Sequence, residues 1–343
     1  MRISAAAIAL LFLGCSVSYR PTPVHPSLSA APEVRVAALL SDGRLIEFVA
    51  PSRQIEKQLQ LGPAVAEPRP LRGLVRDVRK SLVYALDPAT QATVHVIGSR
   101  SWTQTSTVTL GVEGDRYFDL EIGAQSGRLF AVGMSAHGDA VLAIAPPGAT
   151  AAMRTVLRPS PGGDRWLPLA AALAPDEKEL LLAFTGHPAI YDRISLQSDP
   201  VSLCPAPGGC GAADGGVAAG GTVSAVAIGS QLILSQSGSS RSVANGFTGD
   251  VAPLALAVPP HADRIYVLAR CGDGGLSSVD VRTGQATTLE HPGANAPCGA
   301  VLRAASDETL VASAPGIWTI GVRDRAAEEA PDLGTLVLDA LPI

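Results

Sequence analysis

The chain has 343 residues, of which 35 are Gly and 27 Pro; 47% are hydrophobic, 17% charged and 4% aromatic. That apolar content supplies a sizeable core and excludes disorder throughout, while a net charge of −5 and scarce aromatics exclude an electrostatic or stacking footprint for nucleic acid. Lysine occurs only at Lys57, Lys80 and Lys178, so no polybasic membrane patch is present. In chain order, Met1-Arg2 precedes a mostly apolar run from Ile3 to Leu13, then Gly14-Cys15. One positive charge followed by so short an apolar run reads as a secretory signal over residues 1–14 and is too short to span a membrane as a helix.

The stretch Leu11-Phe12-Leu13-Gly14-Cys15 resembles a bacterial lipoprotein signal, although Phe12 stands where that family usually has Leu. The resemblance implies cleavage before Cys15 and lipidation of its thiol; several acyl chains on one residue anchor stably. Ser16, directly after the cysteine, resembles the sorting signal for the outer membrane. Residues 15–33 then form the lipidated cysteine and a tether. Pro21, Pro23, Pro26 and Pro32 fix φ and remove donors, so this stretch stays extended and unpacked.

From residue 34 to 343 the chain repeats. Short runs of large apolar residues begin at Val36, Leu82, Arg128, Leu180, Gln231, Arg264 and Thr309, a mean spacing of about 45 residues, as expected for four-stranded propeller blades. Each run is followed by a turn such as Ser41-Asp-Gly-Arg44 or Gly272-Asp-Gly-Gly275 and a second strand. No helical period appears, so the fold expected is all-β: a seven-bladed β-propeller of four-stranded antiparallel blades. Val36 to Gly62 and Arg264 to Leu289 resemble the YVTN-type repeats of bacterial surface propellers. The Gly-His and Trp-Asp marks of WD40 blades are missing. The first repeat starts without a preceding apolar strand, whereas Leu333 to Leu341 is an apolar strand left over at the end; this terminal strand is expected to join the first blade and remove exposed edges.

Cys204, Cys210, Cys271 and Cys298 form an even set in an exported chain and point to disulfides, with three pairings possible. A local Cys204–Cys210 bridge would pin the Pro/Gly-rich segment Asp199 to Gly221. A Cys271–Cys298 bridge would staple adjacent blades. Neither pair has metal-site spacing, and the histidines are scattered, so no metal and no cofactor are expected. Motifs for metalloproteases, serine hydrolases, nucleotides and dinucleotides are absent.

The innermost strands line a propeller's channel, and here they carry few charges: Arg72, Arg76, Asp119, Glu121 and Arg303. Such a ring either holds an anion or a carboxylated peptide, or pairs internally and plugs the channel, and the second is the simpler expectation. Lactonase propellers assemble several oxygen ligands around a channel metal, for which Asp119 and Glu121 are too few. The function expected is therefore a non-catalytic binding or scaffolding module of the bacterial cell envelope. It would sit on the outer membrane through its lipid and contact an envelope protein or polysaccharide by its loops, with no nucleic acid partner. Alternatives are a channel-sited hydrolase and an outer-membrane assembly factor; the propeller lipoproteins of that second class use eight blades.

Overall fold

Strands buried on both faces read as unbroken apolar runs, and strands wetted on their faces read as polar ones. The computed structural model places both kinds in the same sheets. It describes residues 31–343 apart from 53, 70, 159–166, 186–189, 196–200, 203–215, 221, 237–238, 248–254, 262, 270–274, 290–298, 314–315, 324–325 and 331. The signal peptide, Cys15, most of the tether and the four cysteines Cys204, Cys210, Cys271 and Cys298 lie outside the described residues.

The described strands form seven four-stranded antiparallel sheets, and no helix is present among the described residues. Blade 1 contains β1 (Val34–Leu40), β2 (Arg44–Ala50) and β3 (Ile55–Gln60). Blade 2 contains β4 (Leu74–Asp77), β5 (Leu82–Leu86), β6 (Thr93–Gly98) and β7 (Thr103–Thr109). Blade 3 contains β8 (Arg116–Ile122), β9 (Leu129–Met134), β10 (Ala140–Ala145) and β11 (Met153–Arg158). Blade 4 contains β12 (Leu167–Leu173), β13 (Glu179–Thr185), β14 (Ile190–Ser195) and β15 (Val201–Ser202). Blade 5 contains β16 (Val217–Gly220), β17 (Val223–Ile228), β18 (Gln231–Gln236) and β19 (Ser239–Ala244). Blade 6 contains β20 (Ala255–Ala257), β21 (Arg264–Leu268), β22 (Leu276–Asp280) and β23 (Ala286–Leu289). Blade 7 contains β24 (Val301–Ala304), β25 (Thr309–Ser313), β26 (Ile317–Gly321) and β27 (Ala326–Glu329). The chain's last strand, β28 (Val337–Pro342), returns to blade 1 and pairs antiparallel with β1, Val36 opposite Pro342 and Ala38 opposite Ala340.

The innermost strands make a closed circuit: β28 lies against β4, β4 against β8, and so on through β12, β16 and β20 to β24, which returns to β28. This is a β-propeller. Its core is therefore not one centre but a series of layers between blades. Leu39, Leu74, Tyr117 and Leu338 share one layer across blades 1 to 3, and Val36, Ile46, Val311 and Ala340 share another between blades 1 and 7. The outer strands β3, β7 and β19 are largely exposed and polar, as edges must be to avoid pairing with other chains. Gly43 turns β1 into β2 at φ 83°, and a Cβ there would collide with the carbonyl of Gly62, so the Asp-Gly turn admits no larger residue.

Blade 5 corrects the repeat spacing. The run beginning at Gln231 is the third strand of its sheet, not the second; the second is β17. The innermost strand, β16, lies inside the Pro/Gly-rich segment Asp199 to Gly221. Its residues, Val-Ala-Ala-Gly, lack the bulky β-branched signature, but a strand packed close to an axis needs small side chains and no such signature.

Removing β28 takes a whole inner strand from blade 1 and a partner from blade 7. A chain truncated before Val337 is expected to lose its cooperative thermal transition, followed by circular dichroism; a transition like that of the intact chain would show that closure by this strand is dispensable.

Candidate functional site

Charges on inner strands face either the next blade or the channel, where water is scarce, so their pairing decides what the channel can do. Arg72 lies just ahead of β4 and bridges to β8 through its backbone: its N–H donates to the Phe118 carbonyl at 2.9 Å and its carbonyl accepts from Leu120 at 2.8 Å. A bulge in β8 between Tyr117 and Asp119 re-aims the strand at this point. The Arg72 guanidinium donates from Nη1 to the Ala171 carbonyl on β12 at 2.8 Å and to Asp119 Oδ2 at 3.5 Å, and its Nη2 stands 3.4 Å from Glu121 Oε1. Asp119 Oδ2 also accepts the Ala171 N–H at 2.6 Å, so side chains and backbone knit blades 2, 3 and 4 together.

Arg303 on β24 donates from Nε and Nη2 to the two carboxylate oxygens of Asp339 at 3.3 and 2.8 Å. Asp339, on β28 and fully buried, further accepts the N–H of Leu74 on β4 at 2.9 Å. This pair ties blades 7, 1 and 2. Sequence reasoning brought together Arg72, Asp119, Glu121 and Arg303, and the structure groups them, but it missed Asp339. The signal was an acid standing alone in the apolar run Val337 to Leu341. Arg76, by contrast, belongs to no such pair: it is half-buried in β4, forms no ion pair among the described residues, and leaves its Nε buried without a partner. It lies four residues beyond Arg72, roughly 13 Å along an extended strand.

Two guanidiniums face three carboxylates, a formal charge of −1 in a confined space. Burial pushes Asp119 up to about 8, against the pull of Arg72 and with the help of Glu121; burial likewise raises Glu121. Arg72 is held charged by Asp119 and Glu121 despite the burial that opposes it. Asp119 is thus a carboxylate that its burial pushes toward the neutral form. The exposure of the carboxylates differs: Asp119 is 1% exposed, whereas Glu121 is 22% exposed and lines a cavity of about 240 Å³ at the channel mouth. Arg72 and Arg303 share that cavity with apolar residues of β12, β16, β20, β24 and β28. Among the described residues no group of three His, Cys, Asp or Glu side chains is placed to hold a metal ion.

No family model matches the chain, and no curated protein matches it. Solved structures do. A candidate 6-phosphogluconolactonase from Bacteroides fragilis is 14% identical with a TM-score of 0.59, over 93% of this chain and 100% of that one. A second, from Bacteroides uniformis, is 12% identical with a TM-score of 0.60, over 91% of this chain and 99% of that one. AztD from Citrobacter koseri, in its apo form, is 13% identical with a TM-score of 0.52, over 91% of this chain and 98% of that one.

Two consequences of the cluster can be measured. Asp339→Ala strands the Arg303 guanidinium and the Leu74 N–H in the interior and is expected to cost about 3–5 kcal/mol in urea unfolding. An unfolded aspartate gives up its proton near 3.9 while the folded Asp119 keeps it to about 8, so raising the pH across that window erodes stability. Asp119→Asn is expected to flatten this slope, and superimposable pH profiles for variant and wild type would place the proton elsewhere. At such low identity the structural likeness establishes the fold alone: the chain is a β-propeller.

Proposed function

We propose that the chain is a seven-bladed propeller of the YVTN type that acts as a non-catalytic binding or scaffolding module of the bacterial envelope. Cys15 carries the lipid, residues 16–33 tether the disc, and rim loops engage another envelope protein or a surface polysaccharide, with the outer membrane as the site of anchorage. One observation carries the absence of chemistry from this reading. Each cation at the channel mouth pairs with carboxylates of neighbouring blades, Arg303 with Asp339 and Arg72 with Asp119 and Glu121, which suits groups that hold the ring together better than groups poised for a reaction.

The experiment follows the anchor and the partner together. The wild-type chain is expected in the membrane fraction and Cys15→Ser in the soluble fraction, and mild crosslinking in intact cells is expected to trap the wild type with a discrete envelope component. Soluble wild-type protein would remove the anchorage, and a chain that crosslinks to nothing would remove the scaffold.

A second reading, a channel-sited lactonase, draws support from the likeness to two candidate 6-phosphogluconolactonases and from the charged cavity at the channel mouth. Turnover of sugar lactones by the purified chain, abolished by Glu121→Gln, would favour it over the scaffold.

A further inference from the structure

The cavity at the channel mouth is lined by Arg72, Glu121 and Arg303 and by apolar residues, of which Ala219, Ala304 and Pro342 are only half-buried. Not every guanidinium N–H there is taken. A guanidinium has five N–H groups. Arg303 uses Nε and Nη2 on Asp339, which leaves Nη1. Arg72 uses Nη1 on Ala171 and Asp119, and its Nε is buried without a partner. Its Nη2 meets Glu121 only at 3.4 Å, beyond the 2.7–2.9 Å or so of a strong charge-assisted bond. Glu121 thus fills loosely the place of an acceptor that the two arginines can hold better.

We propose that this cavity binds a carboxylate borne on a short aliphatic chain, the carboxylate taking Nη2 of Arg72 and Nη1 of Arg303 in place of Glu121 and the chain lying against Ala219, Ala304 and Pro342. A volume of about 240 Å³ falls below the roughly 300–1,000 Å³ of pockets for drug-sized ligands, so the occupant is small or is the end of something larger. Two sources share this chemistry: a free short-chain acid and the C-terminus of a peptide ending in an aliphatic residue. The inference is independent of the lipid anchor and of the rim contacts.

Binding is linked to protons. Glu121 faces Asp119 on its own strand, Arg72 ahead of β4, Arg303 on β24 and Asp339 on β28, while β12, β16 and β20 bring no titratable residue to the cavity. Burial raises Glu121. An entering carboxylate favours the protonated, neutral glutamic acid, so affinity increases as pH falls, until the ligand itself is protonated.

Calorimetry on the full chain tests this with hexanoate, with hexylammonium as a probe of equal length and opposite charge, and with a tripeptide ending in leucine as free acid or amide. Saturable binding of hexanoate and none of hexylammonium is expected. Ala219→Leu, which fills the cavity, should weaken hexanoate about tenfold, a difference of about 1.4 kcal/mol. Glu121→Gln should tighten it and flatten the pH dependence above the ordinary glutamate range. Peptide acid binding more tightly than hexanoate, with the amide silent, assigns a protein C-terminus; hexanoate binding more tightly assigns a free acid. Preference for hexylammonium, no saturation by hexanoate at millimolar concentration in either wild type or Glu121→Gln, or an unaltered affinity in Ala219→Leu, overturns the proposal.

Discussion

Blade 1 is apolar on both faces, so it cannot stand at the end of a row. β1 and β2 are buried almost along their whole length, and their side chains pack against blade 7 on one side and blade 2 on the other. Apolar surface on both faces is worth about 25 cal/mol per Å² only if both are covered, and an open arc would leave two such faces in water. The ring must close, and the chain closes it by laying its last strand beside its first. That pairing joins residues separated by the entire fold, which couples the stability of every layer to a single late contact.

The electrostatics follow the same logic. The Arg303–Asp339 pair sits where the closing strand meets blade 7, and Asp339 reaches on to the backbone of β4, so one carboxylate links three blades. Arg72 does the same with its side chain for blades 2, 3 and 4. Buried ion pairs contribute little net stability compared with packed apolar residues, but breaking one leaves a stranded charge. Here that penalty acts on geometry: an arrangement of blades that separated these partners would be strongly disfavoured, so the pairs select one ring over its distortions.

Much of this was legible in the sequence, and the residues show why. Leu82 to Leu86 and Arg264 to Leu268 announce themselves because both faces of a blade's second strand are buried and large β-forming side chains fill the space. β16 stayed hidden because Val217-Ala-Ala-Gly220 sits nearest the axis, where small residues fit and leave no pattern. Inner-strand charges are rare enough to single out Arg72, Asp119, Glu121 and Arg303. Their pairing was not legible, because the order of blades around the axis decides which side chains meet, and Asp339 entered only once the terminal strand was placed. Arg76 shows the limit from the other side: it shares the inner strand β4 but stands apart from the cluster that Arg72 joins.

The channel is polarised rather than symmetric. Blades 7, 1, 2 and 3 bring all the charges of the cluster, while blades 5 and 6 bring alanine, leucine and valine to the same cavity. A plug made only to fill an axis has no need of such a division, since apolar residues from every blade would seal it at less desolvation cost. The burial of Asp119 points the same way: it pushes this carboxyl toward its neutral form, and a group so poised can take up a proton when the charge beside it changes. The clamp that fixes the ring is thereby also the wall of a small chamber able to accept one more acid group without losing its own balance.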